Sequence, residues 1–569
     1  MAGSQANWRT IGKVDRLVQL VVDRESQTPI YVQIARQLRQ SILDGEPVAG
    51  ARLPPERRLA ALLGVNRTTI VNAYRELAAD GLVSGQVGRG TIVTYGAELA
   101  GSSVSDVSTW PRLSGRQTSM TAEHGGRDPD VSGPERRRIG ASPLPWAHLF
   151  TPVTDVMDDP MLRDAMTVSA RPDVIRLATG IPSPELYPVE AIRSMFNEAL
   201  DNAGQTLLQH TPTEGYPPLR EQLALWMERS AAGAGAPYSV DPSQIVVVAG
   251  SQQGLYLLAR TLIEPGDLVA IESPTYLGAA QVFRAAGARL LPIPIDQDGM
   301  QVDLLQEILP RRRPKLIYTL PTFQNPSGAV MSMGRRLRLI DLAARYQIPI
   351  IEDDPYGALR YEGRSLPTIA AIDRSEGRAN VIYLSTVSKM LFPGFRIGWI
   401  CAPKPVVERL TLMKQLVDLD TNALAQWAVW AFFERGMLDA HLVRVNQVYP
   451  ARRDRMLAAL ERHGEGLIAS NRPGGGIYLW CRLHEAIRVR DLLPEAAREG
   501  VIFAPGESFH VDAASGRGRF DIRLNYTLPT ETEIDEGIRR LGIALRRLAD
   551  HYALGDRATH AGNPLTPIV

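Results

Sequence analysis

From about residue 146 onward the chain alternates short aliphatic, β-branched runs with longer stretches of helical period. Ile245–Val248, Leu268–Glu272, Lys315–Thr319, Ile348–Glu352, Val381–Leu384 and Ile397–Cys401 read as strands, with Arg335–Tyr346 among the clear helices between them. Strands alternating with helices predict a mostly parallel sheet covered on both faces. The first hundred residues follow another pattern. Tyr31, Ile34, Ala35, Leu38 and Ile42 share one helical face, and Gly45 stands where such a helix would stop. A second, short helix begins at Pro54-Pro55-Glu56, with proline tolerated in its first turn, and is expected to bury Leu59, Leu62 and Leu63. Gly64-Val65-Asn66 makes a turn. Asn66 is a good N-cap for a third helix with Ile70, Ala73, Tyr74 and Leu77 inward. Short strands at Leu82–Ser84 and Thr91–Thr94 flank a glycine-rich hairpin, so the head reads as a helix-turn-helix followed by a hairpin.

Composition separates the two regions. Residues 96–145 hold 8 Ser, 7 Gly and 5 Pro against only 7 Leu, Ile, Val and Phe together. Such a stretch buries too little apolar surface to offset the entropy of ordering and is expected to be a flexible tether. The organisation is then a head over 1–95, a tether over 96–145, a body over 146–555 and a tail over 556–569. A net charge of +1 for 569 residues argues, taken alone, against a nucleic-acid partner. Counted by region, the head carries 12 Lys/Arg against 8 Asp/Glu, the tether 6 against 6, and the remainder 45 against 48. The total averages a basic head with a mildly acidic body.

Two cysteines, Cys401 and Cys481, cannot make a disulfide framework in so long a chain and are too far apart for a CxxC pattern. Ordinary buried thiols and no metal site are expected. No apolar run of about 18 residues appears and the N-terminus is polar, so the expectation is a cytoplasmic protein with no membrane partner.

On the third helix of the head, Arg67, Thr68, Thr69, Asn72 and Arg75 remain available outward. In a helix-turn-helix the first residues of the second helix of the motif reach base edges in the major groove, which assigns Arg67, Thr68 and Thr69 to double-stranded DNA. Arg52, Arg57 and Arg58 would sit near phosphates, where they position without specifying sequence, and Arg89 at the hairpin tip could enter a minor groove. Each feature alone also suits a plain structural module. Together, Pro29-Ile-Tyr-Val-Gln-Ile34, Leu53-Pro-Pro-Glu-Arg57, Leu63-Gly-Val-Asn-Arg-Thr68, Ala73-Tyr74, Leu77, Gly81 and Gly88-Arg-Gly-Thr91 resemble the winged helix-turn-helix of GntR-type transcription factors.

The body carries a second constellation. Ser385-Thr-Val-Ser-Lys389 follows a predicted strand and precedes Phe392-Pro-Gly-Phe-Arg-Ile-Gly398. A lysine in a Ser/Thr-rich turn, with an arginine seven residues on, can form an imine to an aldehyde while the arginine supports a phosphate. Pyridoxal phosphate needs both. In Glu352-Asp-Asp-Pro-Tyr356 a carboxylate at a strand end can keep a pyridine nitrogen protonated; Asp353 is the choice, with Tyr356 directed at the ring hydroxyl. Pro321-Thr-Phe-Gln-Asn-Pro-Ser-Gly328 presents Asn325 to the same oxygen, and Gly250-Ser-Gln-Gln-Gly254 offers a helix N-terminus to a phosphate. Tyr276 can stack on a ring. Arg523, flanked by apolar strand residues, needs an anionic partner, either a substrate carboxylate or an internal salt bridge.

Taken in order, these motifs resemble fold-type I pyridoxal-phosphate aminotransferases (transaminases), most closely the aminoadipate/aromatic group, over about residues 150–550. The resemblance implies a large α/β domain with a smaller C-terminal α/β subdomain. It implies an internal aldimine on Lys389, a pyridinium contact from Asp353, and ring-oxygen contacts from Asn325 and Tyr356. Ser251, Gln252, Thr386, Ser388 and Arg396 would hold the phosphate, Tyr276 would stack on the ring, and Gly180 and Arg523 would meet the substrate. A homodimer is implied as well. His210 departs from the family, which usually has a tyrosine there.

A GntR-like head, a tether and an aminotransferase-like body together resemble the MocR class of bacterial regulators. That implies a transcriptional regulator whose body senses pyridoxal 5'-phosphate, or an amino acid or amine, through the aldimine at Lys389. The alternative is a working aminotransferase with an appended DNA-binding head. Effector, operator and the direction of regulation are not written in the sequence.

Overall fold

In the computed structural model, strict alternation along each strand decides which side of the central sheet of the body a side chain faces. The structure describes residues 20, 22–24, 29–43, 51–79, 82–86, 90–93, 149–151, 153–156, 159–512 and 515–552. The chain divides into two compact units, Met1–Phe150 and Thr151–Val569. The expected tether and tail, together with Gly45 and Arg89, lie outside the described residues.

The head consists of α1 (Ile30–Leu43), α2 (Glu56–Leu63), α3 (Arg67–Ala79) and the antiparallel pair β1 (Val83–Gln86) and β2 (Gly90–Val93). Ile34, Leu38 and Ile42 of α1 pack with Leu59, Ile70, Ala73 and Leu77, and with Leu82, Val83 and Val93 of the hairpin. Gly64 closes α2 in the left-handed region at φ +61°, where a residue without Cβ is favoured. Asn66 Oδ1 accepts from Thr68 N at 3.1 Å and so caps α3. Leu53 N donates to Thr91 O and Val93 N to Ala51 O, each at 2.9 Å, which ties the segment before α2 to the outer strand of the hairpin. One inward expectation fails: Leu62 is exposed. Leu59, Ala60 and Leu63 already define the inward stripe of this two-turn helix, and Leu62 lies about 100° round the axis from its centre.

In the body, eight strands form one sheet: β3 (Ile245–Val248), β4 (Leu268–Ser273), β5 (Arg289–Asp296), β6 (Gly299–Met300), β7 (Leu316–Thr319), β8 (Ile350–Asp353), β9 (Val381–Thr386) and β10 (Gly398–Cys401). Their order is β3-β10-β9-β8-β7-β4-β5-β6. Pairing is parallel from β9 through β5, whereas β10 runs antiparallel to both neighbours and β6 antiparallel to β5. Ile245, Val247, Ala270, Ile317 and Ile350 enter one core; Val246, Val248, Val269, Leu316, Tyr318 and Ile351 enter the core on the opposite face. Burial on both faces explains why these strands carry no polar alternation.

Beyond the sheet, helices α4 (Pro217–Gly233), α5 (Ser251–Leu262) and α6 (Met333–Tyr346) cover it. The long α7 (Met437–Gly464) leads to a subdomain built from β11 (Ile468–Ser470), β12 (Tyr478–Leu483), β13 (Ala504–Pro505), β14 (Asp521–Asn525) and α8 (Glu531–His551). Its four strands are antiparallel, in the order β11-β12-β14-β13. Leu438 of α7 belongs to a core of the large sheet, while Val445, Tyr449 and Met456 belong to that of the subdomain, so one helix is packed into both. Cys401 and Cys481 are buried free thiols. Among the described residues no helix is long and apolar enough to cross a membrane.

Candidate functional site

The parallel strands deliver their C-terminal ends to one edge of the sheet, where ligands of open α/β folds bind. Asp353 ends β8, Thr386 ends β9, and Ser251 opens α5 three residues after β3. Because β10 is antiparallel, its start lies at the same edge and brings Arg396 there. A cavity of about 260 Å³ at this edge is lined by Gly180, Ser251, Gln252, Tyr276, Asn325, Asp353, Tyr356, Thr386, Ser388, Lys389, Arg396 and Arg523. All twelve body residues singled out from the sequence thus meet in one place, from segments as far apart as 180 and 523.

Lys389 Nζ donates to Gly180 O at 2.7 Å. Burial lowers its pKa from the ordinary lysine value, with Tyr478 and Asp353 opposing, which favours the neutral, nucleophilic amine. Asp353 is buried. One of its oxygens accepts the Tyr318 hydroxyl at 2.8 Å, and the other has no protein partner. Burial raises its pKa to about 7, with the Asp354 and Glu272 carboxylates adding to the rise and the Tyr318 hydrogen bond opposing it. Asn325 Nδ2 lies 3.5 Å from the Tyr356 hydroxyl, so two polar groups converge on one point.

At the other end of the cavity, Thr386 Oγ1 lies 2.9 Å from Ser388 Oγ, and Ser388 Oγ 3.4 Å from an Arg396 terminal nitrogen. Arg396 also donates to Ala249 O at 3.2 Å. Gly250, at φ +81°, lets the α5 N-terminus and the guanidinium approach each other: a Cβ there would stand 2.4 Å from an Arg396 nitrogen. Hydroxyls, a guanidinium and the free N–H groups of a helix start form an anion cradle. The Tyr276 hydroxyl donates to Gln252 Oε1 at 2.9 Å, fixing the ring beside the cradle.

Arg523 projects from β14 and meets no carboxylate among the described residues, so the salt-bridge alternative is not found there. It donates to Asn325 Oδ1 at 2.8 Å and Ala178 O at 2.9 Å, keeps a buried Nε without a partner, and stacks at 4.0 Å on Tyr478 and 4.7 Å on Phe509. Tyr478 is a lining residue that the sequence reading missed. Burial pushes its pKa up, but Arg523 and Lys389 outweigh burial and the net shift is downward. Its signal was the run Gly474-Gly475-Gly476 just before it: small residues admit a close approach, and a Cβ on Gly180 would stand only 1.7 Å from the Tyr478 hydroxyl. Tyr318 was hidden as one aliphatic-looking position of a buried strand. His210 is exposed, with Nδ1 3.2 Å from Asp420 Oδ1.

In the head, Arg52, Arg57, Arg58, Arg67 and Thr68 are exposed and Thr69 is half-buried. Arg67 is paired with Glu56 at 2.9 Å, a partner supplied by the first turn of α2.

The family model for bacterial regulatory proteins of the gntR family matches residues 30–93, and that for aminotransferase class I and II matches residues 172–541. The aromatic-amino-acid aminotransferase 1 of Thermococcus litoralis is 40% identical over 72% of this chain and 97% of its own length. The probable rhizopine catabolism regulatory protein MocR of Rhizobium meliloti is 30% identical over 95% of this chain and 99% of its own. A solved α-aminoadipate aminotransferase, LysN of Thermus thermophilus, complexed with N-(5'-phosphopyridoxyl)-L-leucine, superposes with a TM-score of 0.65 at 33% identity, covering 71% of this chain and 99% of that one. The aminotransferase matches stop at the body, whereas the regulator is matched through head and body alike. Pyridoxal 5'-phosphate is the cofactor of the aminotransferase fold, and the unpartnered Asp353 oxygen, the lysine amine and the anion cradle fit its pyridine nitrogen, aldehyde and phosphate. With a GntR-type DNA-binding head fused to a fold-type I, pyridoxal-phosphate-dependent body, the chain belongs to the MocR-type transcriptional regulators.

Proposed function

We propose that the chain is a cytoplasmic homodimer that binds operator DNA through its heads and reads an amino acid or amine in the cavity around Lys389. The observation that supports this most is the unpartnered oxygen of Asp353: a fully buried carboxylate facing a cavity wants a cation, and a protonated pyridine nitrogen supplies one. When bound, pyridoxal 5'-phosphate supplies an aldehyde that combines reversibly with primary amines and a ring that withdraws electrons. Lys389 provides the amine that holds it, and burial keeps that amine neutral enough to react. Ser251, Gln252, Thr386, Ser388 and Arg396 grip the phosphate; Tyr276 stacks on the ring; Asn325 and Tyr356 hold its oxygen. Arg523, which bonds to Asn325 Oδ1 and Ala178 O, orients the carboxylate of an incoming amino acid beside Gly180.

In the head, Arg67, Thr68 and Thr69 read base edges, Arg52, Arg57 and Arg58 position the domain on phosphates, and Arg89 enters a minor groove. The ligand moves the heads only to the extent that it binds two conformations of the body unequally. A shift assay on the chain's own upstream DNA, with and without pyridoxal phosphate and candidate amines, tests this. Retardation that falls with salt and changes with the cofactor is expected; indifference of every upstream fragment to both ligands would sink the proposal.

The completeness of the lysine site favours one further reading, an active aminotransferase of the aminoadipate/aromatic type. Sustained conversion of an amino acid and an oxo acid at ordinary enzyme rates, from about 1 per second upward, would establish it.

A further inference from the structure

Behind the lysine site lies a larger cavity of about 570 Å³. The two share one turn. Asp353, Pro355 and Tyr356 face the lysine cavity, while Asp354, Gly357 and Ala358 face the second, so consecutive residues of the same segment line opposite sides of a thin wall. Asp354 anchors that wall. Its carboxylate accepts Gly357 N at 2.9 Å and the Tyr383 hydroxyl at 3.1 Å, and its carbonyl accepts Ser385 Oγ at 2.7 Å.

The lining of this second cavity is polar in a specific way. Arg360 stacks 4.6 Å over the Phe323 ring. Its Nε is buried with no hydrogen-bond partner, and Asp354, the carboxylate whose field acts on it, forms no ion pair with it. Asn446, on α7, spends its Nδ2 on Ala358 O at 3.0 Å and leaves a buried Oδ1 without a donor. Buried donors and acceptors are rarely left unmade in native proteins, because each forfeits its hydration for nothing. Here a cationic donor and a neutral acceptor are unmade on two residues that line the same cavity, beside a buried carboxylate. The remaining walls are mixed: Trp226, Tyr361 and Leu442 lie beside Ser and Thr hydroxyls and beside Arg229 and Asp439, which pair with each other at 3.8 Å.

The geometry points to a second ligand site, separate from Lys389, that takes a free amino acid with a large apolar side chain. Its carboxylate pairs with Arg360, its ammonium donates to Asn446 Oδ1 and the Asp354 side of the wall, and its side chain lies against Trp226 and Tyr361. A simple anion would leave Asn446 unmade, and a simple amine would leave Arg360 unmade; a zwitterion satisfies both. The position also suits an effector. Leu442 packs against a core of the large sheet and against that of the subdomain, so a ligand here touches the helix that both share. It does so without competing for the amine of Lys389.

The test is calorimetric titration of the cofactor-loaded full chain with L-phenylalanine, alongside the absorption of the bound cofactor. Calorimetry counts every equivalent bound, whereas absorption reports the lysine site alone. The expected result is an equivalent that depends on Arg360 and not on Arg523. It disappears in Arg360→Leu while the cofactor absorption and its response to phenylalanine persist, and it remains in Arg523→Leu. Asn446→Leu, a change of similar volume, should weaken it by about tenfold. L-phenylalaninamide and phenylacetate, each lacking one charge, should not fill the site. No equivalent beyond the one that Arg523 governs, or a second equivalent unchanged in both Arg360→Leu and Asn446→Leu, would overturn the inference. Retained cofactor absorption shows that the variants are folded.

Discussion

Replacing Asp353 by asparagine should make the cofactor-free protein more stable and the cofactor-loaded protein less so. Asparagine keeps the shape and can still accept the Tyr318 hydroxyl, but it removes a charge that the fold buries without a partner for one of its oxygens. The carboxyl has a pKa of about 7 in the fold against an ordinary 3.8. A raised acid keeps its proton in the folded chain after the unfolded chain has lost it, so stability falls as pH rises from about 4 to about 7 and levels off above. At about 1.4 kcal/mol for each tenfold change in proton affinity, the penalty reaches roughly 4 kcal/mol at pH 8 and roughly 2 kcal/mol at pH 5. These are upper bounds, because the neighbouring Asp354 and Glu272 titrate in the same burial.

The assay is urea unfolding of the body at pH 5 and pH 8, for the wild type and Asp353→Asn, each with and without saturating pyridoxal phosphate. Without cofactor the advantage of the variant should grow by roughly 2–3 kcal/mol between the two pH values. With cofactor the order should reverse at pH 8, because the pyridinium partners the aspartate and binding adds its own stabilisation to the wild type. An advantage independent of pH, or a variant less stable than the wild type without cofactor, would refute the argument that an unpartnered buried charge is held there for a ligand.

Three other changes test separate parts of the structure. Gly180→Ala places a Cβ 1.7 Å from the Tyr478 hydroxyl and must displace either that ring or the carbonyl that accepts from Lys389; a loss of about 1–3 kcal/mol in denaturation and weaker cofactor absorption are expected. Arg336→Met removes a buried guanidinium that donates to Met331 O, Pro321 O, Pro367 O and Thr322 Oγ1 and lies 4.0 Å from Glu352; about 3–5 kcal/mol should be lost, measured by denaturant midpoint. In the head, Glu56→Gln releases Arg67 from its ion pair with Glu56 and should tighten DNA binding by anisotropy, whereas Arg67→Ala should weaken it, with a shallower dependence on salt if Arg67 also neutralises a phosphate.

Some parts of this molecule can be read directly from its sequence. Runs such as Ile245–Val248 are short, aliphatic and spaced by helices, and a parallel sheet buried on both faces has no other signature. Lys389, Asp353 and Arg396 stood out because charged residues at the ends of such strands need a reason to be there. The antiparallel course of β10 was not legible, since its four residues look like those of its neighbours and only its pairing with β9 and β3 sets the direction. Tyr318 and Tyr478 escaped notice because a tyrosine in a strand reads as core until its hydroxyl is placed. The Arg67–Glu56 pair escaped because it joins residues from two helices whose crossing no periodicity specifies. Leu62 failed for a local reason, as a two-turn helix has room for only a narrow inward stripe.

How large a conformational response the lysine site can drive follows from where its parts come from. Lys389, Asp353 and Asn325 belong to the segments at the edge of the large sheet, whereas Arg523 and Tyr478 belong to β14 and β12 of the subdomain. An amino acid whose carboxylate sits on Arg523 while its amine meets Lys389 therefore bridges the two, and its bonds form fully only in one arrangement of them. Charge-assisted hydrogen bonds contribute roughly 1.5–3 kcal/mol each. Moving a two-state body from one part in a hundred to ninety-nine needs about 5.5 kcal/mol of preference. One such bond at Arg523 falls short of that and two reach it only at the top of the range, so the switch draws on the amine's exchange with Lys389 at the cofactor aldehyde as well, or on a second ligand acting through α7, which is packed into both cores. A compound with a carboxylate but no amine should accordingly occupy the site and leave DNA binding nearly unchanged.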